Sequence, residues 1–243
     1  CSARVSTPQF DTVVLRWVQS GSARGDIGRR FARRPTAGKR RAVVASGAMK
    51  HLDFYFDLAS PYSYLAATQL GALAAKHGAT VAWKPMVLAA VFKAADNHMP
   101  AQSPPKARHM FTDLQRWAKQ YGVGFALNSR FPFSAIKPER LVIAAEPSGR
   151  AGELALALFT AAWADDRDIT SPEVMADVAR AVGLDADALL VAIETPAVKD
   201  RLKAYTDEAI ALGVYGAPAM VVNGELFWGN DRLHHVDDAL RDA

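Results

Sequence analysis

The sequence predicts an α/β protein in which a small sheet domain is interrupted by an all-helical insertion. Three observations predict it. Strand-like residues open the body of the chain at 50–56 and recur at 79–87, with a helical pattern between them. An alanine-rich helical stretch, punctuated by prolines, then runs from 88 to about 213. β-character returns in two short runs joined by Asn223-Gly224, followed by a last helix.

Each element has its own local reason. Lys50 to Phe56 is a short aromatic run of the kind that forms a buried strand. Asp57-Leu58-Ala59 breaks it, and Ser60-Pro61 opens a helix. Serine is a preferred N-cap, and proline suits the first helical turn because its missing N–H has no partner to lose. Helical spacing through Tyr64, Leu65, Thr68, Leu70 and Leu73 ends at Gly78, a C-terminal stop. With 79–87 as the second strand, this is a βαβ unit and hence a parallel strand pair. Helices are expected over 104–121, 137–146, 150–164, 172–182, 185–192 and 195–212. The strands 219–222 and 225–228 flank an Asn-Gly hairpin turn, and Asn230-Asp231 is expected to cap a helix over 231–241. The order β-α-β, helices, β-β-α is a thioredoxin-like layout with helices inserted in its middle. Residues 49–87 and 214–243 would form the sheet domain and 88–213 the insertion.

Composition excludes several functions. Half of the 243 residues are hydrophobic and 22% are charged, ordinary for a globular core. No run approaches the ~18 uninterrupted apolar residues of a membrane span. Cys1 is the single cysteine, so an internal disulfide framework and a Cys-x-x-Cys redox pair are excluded. Net charge is +4, but residues 1–48 carry ten basic and two acidic residues, which leaves the body at −4. The body shows no basic stripe, so no nucleic-acid partner is expected, nor a membrane. The basic tail is expected to be disordered. It reads as a transit peptide or, preferably, as sequence upstream of a natural start at Met49. No secretory signal is visible, and a cytoplasmic location is expected. The histidines lack ligand spacing, so no metal is expected, and Trp117 and Trp163 are most simply core.

The turn Phe56-Asp57-Leu58-Ala59-Ser60-Pro61-Tyr62-Ser63 is where thioredoxin-like oxidoreductases carry Cys-x-x-Cys, because a helix N-terminus favours a thiolate. Here Ser60 and Ser63 hold that spacing. A serine cannot form a disulfide, so the chemistry is either lost or supplied by an external thiol, with Ser60 as hydrogen-bond donor to the sulfur. Taken alone, the motif reads first as an N-cap and nothing more. Ala217-Pro218 precedes the third strand, where this layout keeps a cis proline and offers the preceding backbone to an extended thiol peptide. The plain alternative is a trans proline at a strand edge. Gly229-Asn230-Asp231, at a helix start, suits a zwitterionic amino acid such as the γ-glutamyl end of glutathione.

From Met49 to Ala243 the chain resembles the family of kappa-class glutathione transferases and 2-hydroxychromene-2-carboxylate isomerases. The resemblance rests on Asp53-Phe54-Tyr55-Phe56-Asp57 with Ser60-Pro61-Tyr62-Ser63-Tyr64-Leu65, on the segment from Asp113 to Gly122, and on Trp228 to Leu233. Asn128 to Phe133 is similar to the isomerases in particular. The family implies a homodimer with glutathione as cofactor and Ser60 as the catalytic serine. It implies a backbone clamp at Ala217 and Pro218, a γ-glutamyl site at Gly229, Asn230 and Asp231, and a glycine-end site at Asn97 and Lys106. Lys93 would meet an acidic aromatic substrate, although solvated surface is the better reading of that residue. The implied reaction interconverts 2-hydroxychromene-2-carboxylate and trans-o-hydroxybenzylidenepyruvate by reversible thiolate addition. The acid for its proton transfers is left open, with Tyr62, Tyr64 and bound water as options. A conjugating transferase and a redox-inactive binding module are the alternatives. Alanine on both sides of Pro218 departs from the family pattern and leaves the substrate open.

Overall fold

A computed structural model describes residues 50–99 and 103–243; the basic segment 1–48 and the expectations attached to it lie outside the described residues. The sheet has the order β2-β1-β3-β4, built from β1 (His51–Phe56), β2 (Thr80–Pro85), β3 (Ala219–Val222) and β4 (Glu225–Trp228). β1 runs parallel to β2, with Phe54 opposite Trp83, and antiparallel to β3, with Phe54 opposite Met220. β3 and β4 form the expected hairpin. Asn223 and Gly224 both take positive φ, +52° and +79°, as a two-residue turn of this sequence requires.

Between β1 and β2 lies α1 (Pro61–His77), started by Ser60 and stopped by Gly78 in the left-handed region at φ +62°. Among the described residues, seven α-helices separate β2 from β3: α2 (Leu88–Ala94), α3 (Pro104–Tyr121), α4 (Ile136–Ala144), α5 (Ala151–Trp163), α6 (Pro172–Ala181), α7 (Ala186–Ala192) and α8 (Pro196–Ala211). A final helix, α9 (Leu233–Asp242), follows β4. The boundaries of the expected elements fall within two residues of the sequence expectation, and two of the shifts have a local cause. The helix expected over 137–146 ends at Ala144 and passes into a 3-10 turn, Glu146–Ser148, where Pro147 sits. Asn230-Asp231 does not cap α9 but belongs to a 3-10 turn, Asn230–Arg232, and the Asp231 carboxylate pairs with Arg232 instead.

Alternation along β1 sets the layers. Leu52, Phe54 and Phe56 point to one face and join a large apolar cluster with α1, α3, α5 and α6; Tyr55 points to the other face and packs with Met86, Val91, Val214 and Val221. Phe56 meets Phe159 of α5 with ring centroids 5.5 Å apart, and Phe54 meets Trp83 edge-on at 5.3 Å. Each such aromatic contributes roughly 1.5–3 kcal/mol by burial. This seam therefore fixes the sheet against the helices, and the β1–α1 turn emerges from it with little freedom.

Candidate active site

The turn after β1 is held from three sides. The Asp57 carboxylate accepts the Ala59 N–H at 2.8 Å and the Leu88 N–H at 3.0 Å, tying the turn to the start of α2. Burial pushes the Asp57 carboxyl up, against a weaker downward pull from those two N–H groups. The Trp163 indole N–H donates to the Leu58 carbonyl at 2.9 Å from behind. Ser60 then caps α1: its Oγ accepts the Ser63 N–H at 3.2 Å, and Pro61 fills the first helical position.

Ser60 opens into a cavity of about 500 Å³. β3 approaches it through the Ala217–Pro218 peptide, which is cis as the layout predicts. Ala217 is half-buried in the wall, and among the described residues it enters no turn or loop backbone hydrogen bond. Pro218 is buried behind it, and its carbonyl accepts the Gly229 N–H at 3.0 Å, which brings the end of β4 to the same place. Gly229, Asn230 and Asp231 all line the cavity. Gly229 has φ +100°, which strains any other residue, and a Cβ there would force the Asp231 carboxylate to move. The Asn230 carbonyl accepts the Tyr121 O–H at 2.8 Å, fixing this turn to α3.

Asn97 also lines the cavity, with its amide donating to the Tyr215 carbonyl at 2.8 Å. Seven of the nine residues expected at the site therefore lie in its wall or directly behind it. Lys93, on α2, and Lys106, in the first turn of α3, are exposed and outside the lining. The helical period explains Lys93: Leu88 and Phe92 share the cavity face of α2, and the next residue points away. Among the described residues the lining holds no lysine or arginine, and Asp113 and Asp231 are its carboxylates.

Tyr62, one of the options left open for the acid, lines the wall, and several further wall residues carry no functional role in the sequence analysis. Tyr62 donates its O–H to Asp113 at 3.0 Å, across 51 positions of sequence. Burial and the Asp113 charge raise the Tyr62 phenol, so it stays protonated, and the Asp231 charge adds to this. Trp117, expected as core, is a partly buried wall residue. Trp228 meets Tyr215 at a tilt of 48° with centroids 4.9 Å apart and lies over Gly216, where a Cβ would fall 2.6 Å from its indole nitrogen. Phe131, which precedes a second cis proline, Pro132, adds an apolar wall. Asn128 anchors that loop by donating to the carbonyls of Ala162 and Arg167.

A serine-capped helix start beside a cis proline, with no cysteine at the turn, defines a thioredoxin-fold protein that carries no redox pair there. The chain matches the DsbA-like thioredoxin domain family over residues 51–241. It is 34% identical over 195 residues to the 2-hydroxychromene-2-carboxylate isomerase of Sphingobium xenophagum, spanning 79% of this chain and 99% of that protein. It is 30% identical over 206 residues to "Glutathione s-transferase kappa 2" of Caenorhabditis elegans, spanning 79% and 92%. A solved 2-hydroxychromene-2-carboxylate isomerase superposes with a TM-score of 0.74 at 29% identity, covering 79% of this chain and 95% of that one. The chain thus belongs to the DsbA-like thioredoxin family and, within it, to the group of 2-hydroxychromene-2-carboxylate isomerases and kappa glutathione transferases. That kinship makes it an enzyme of the isomerase type.

Proposed function

We propose that the protein is a glutathione-dependent isomerase that interconverts 2-hydroxychromene-2-carboxylate, or a related intermediate of aromatic breakdown, with its trans-o-hydroxybenzylidenepyruvate form. The observation that carries this reading is Ser60: a hydroxyl, in place of cysteine, caps the helix at the floor of a cavity beside cis Pro218. The donor set suits glutathione. Its sulfur would meet the Ser60 O–H and the positive end of α1. The Ala217 N–H and C=O would bond its backbone as an added strand. Asp231, with Asp113 opposite, would take the γ-glutamyl ammonium, and Asn97 a more distal polar group. When bound, glutathione supplies the nucleophile for reversible addition to a conjugated carbon.

The chain's residues do the rest. Ser60 accepts from Ser63 and keeps its proton to donate towards the sulfur. Tyr62 donates its one proton to Asp113 at the cavity wall, and would reach an oxygen of the substrate as a donor only by giving up that bond. Phe92, Met110, Trp117 and Phe131 supply apolar walls for an aromatic ring and exclude water.

A conjugating transferase is the second reading, supported by the kappa relatives. Incubation with glutathione and trans-o-hydroxybenzylidenepyruvate separates the two. Isomerisation is expected to proceed with free thiol constant. Stoichiometric loss of thiol with an adduct released would favour the transferase, and no reaction with either outcome would overturn both.

A further inference from the structure

Behind the Ser60 turn lies an acid that the proposed reaction does not use. Glu139, in the first turn of α4, is 1% exposed. Neither of its carboxyl oxygens meets a hydrogen-bonding partner of regular geometry. The polar groups acting on it are the Asp57 carboxyl, the Leu58 N–H of the turn and the guanidinium of its neighbour Arg140, whose buried Nε is also without a hydrogen-bond partner. Two buried carboxylates in contact do not both ionise, because desolvation and mutual repulsion act together. Asp57 already accepts two backbone N–H bonds, which favour its charged form.

We propose that Glu139 remains protonated and donates its carboxyl O–H to the Asp57 carboxylate, so that the pair holds one negative charge and Glu139 acts as a positioning residue for the turn that carries Ser60. Burial, then the Asp57 charge, pushes the Glu139 carboxyl well above the usual range, against a weaker pull from the Leu58 N–H and Arg140. Charged groups on neighbouring elements are engaged elsewhere: Lys84 of β2 with Asp53 and Glu208, Arg201 of α8 with Glu146, and Glu194 with Lys199.

The consequence is a pH dependence of definite sign. A carboxyl whose folded pKa lies above its unfolded one binds its proton more tightly in the native state. Stability then falls as pH rises from the unfolded value through the folded one. Ionised Glu139 would repel Asp57, whose bonds to Ala59 and Leu88 fix the turn. It would also place a second negative charge near the site for the sulfur.

The test follows denaturant unfolding of the full chain between about pH 5 and pH 9 for wild type, Glu139→Gln and Glu139→Ala. Wild type should lose stability as pH rises. Glu139→Gln, a neutral donor, should flatten that slope and be at least as stable as wild type at neutral pH. For the glutathione readout, which alone rests on the proposed function, Glu139→Ala should weaken affinity about tenfold and Glu139→Gln should restore it to within about threefold. An unchanged slope in Glu139→Gln, or equal losses in both variants, overturns the proposal. Because a variant can fail to fold, carbon-13 NMR of glutamate-labelled wild type gives a second reading: one carboxyl should stay protonated at neutral pH, and finding every glutamate ionised overturns it too. Loss of glutathione binding in all forms with the pH slope intact would remove the proposed function and leave the proton assignment standing.

Discussion

The Ser60 hydroxyl accepts one hydrogen bond, from the Ser63 N–H, and retains a proton with which to meet a sulfur. Ser60→Ala removes both the cap and the donor. Loss of the cap should cost about 0.5–2 kcal/mol in denaturant unfolding. Loss of the donor should lower kcat roughly 10²-fold, measured with saturating glutathione. Gly229→Ala should cost about 1 kcal/mol or more through its positive φ, and should weaken glutathione binding in calorimetry because Asp231 must move. Ser60 was legible in the sequence because an N-cap is a local device with its own residue grammar, whereas the cis Ala217–Pro218 bond was legible only through the thioredoxin-like layout. Asp113, Trp117 and Trp228 were not assigned, since only packing brings them to the wall. Nothing local to Tyr62 signals that its partner lies on α3, and Lys93 illustrates the converse, a charged residue beside wall residues that the helix turns outward.

Capping and punctuation made the elements readable. Prolines at the starts of α1, α3, α6 and α8 and the left-handed glycines after α1 and α3 mark boundaries that depend on few neighbours. The start of α9 escaped this grammar. Asn230 and Asp231 look like caps, but the bond from Tyr121 to Asn230 and the pairing of Asp231 with Arg232 commit them to a 3-10 turn. α5 has a role that no local pattern announces: its last residue, Trp163, reaches back to hold the Leu58 carbonyl. Trp163→Phe should preserve most of the packing with Phe131 and Phe133 yet leave that buried carbonyl unpaired. The expected loss is about 1–3 kcal/mol in urea unfolding, with weaker glutathione binding. Unchanged affinity at reduced stability would detach α5 from the site.

At the scale of the whole molecule, the sheet and the helices between β2 and β3 share one apolar cluster, from Leu52 and Phe56 to Leu158 and Trp163. The cavity is built from both parts: Ser60, Ala217 and Asp231 come from the sheet side, and Phe92, Asp113 and Trp117 from the helices. Ligand in the cavity should therefore stabilise the chain as a unit. Glutathione at 100 times its Kd should add about 2.7 kcal/mol, raising Tm by roughly 2–4 °C per kcal/mol for a protein of this size. A homodimer remains the proposal for assembly, and sedimentation should give twice the chain mass. Everything proposed for the site depends on an external thiol taking the place where relatives of this fold carry a cysteine, and a crystal structure with glutathione bound decides it. The sulfur should lie within hydrogen-bond distance of the Ser60 Oγ, with the peptide alongside Ala217 and the ammonium at Asp231. Glutathione absent from the cavity at saturating concentration, or bound with its sulfur away from Ser60, would contradict it.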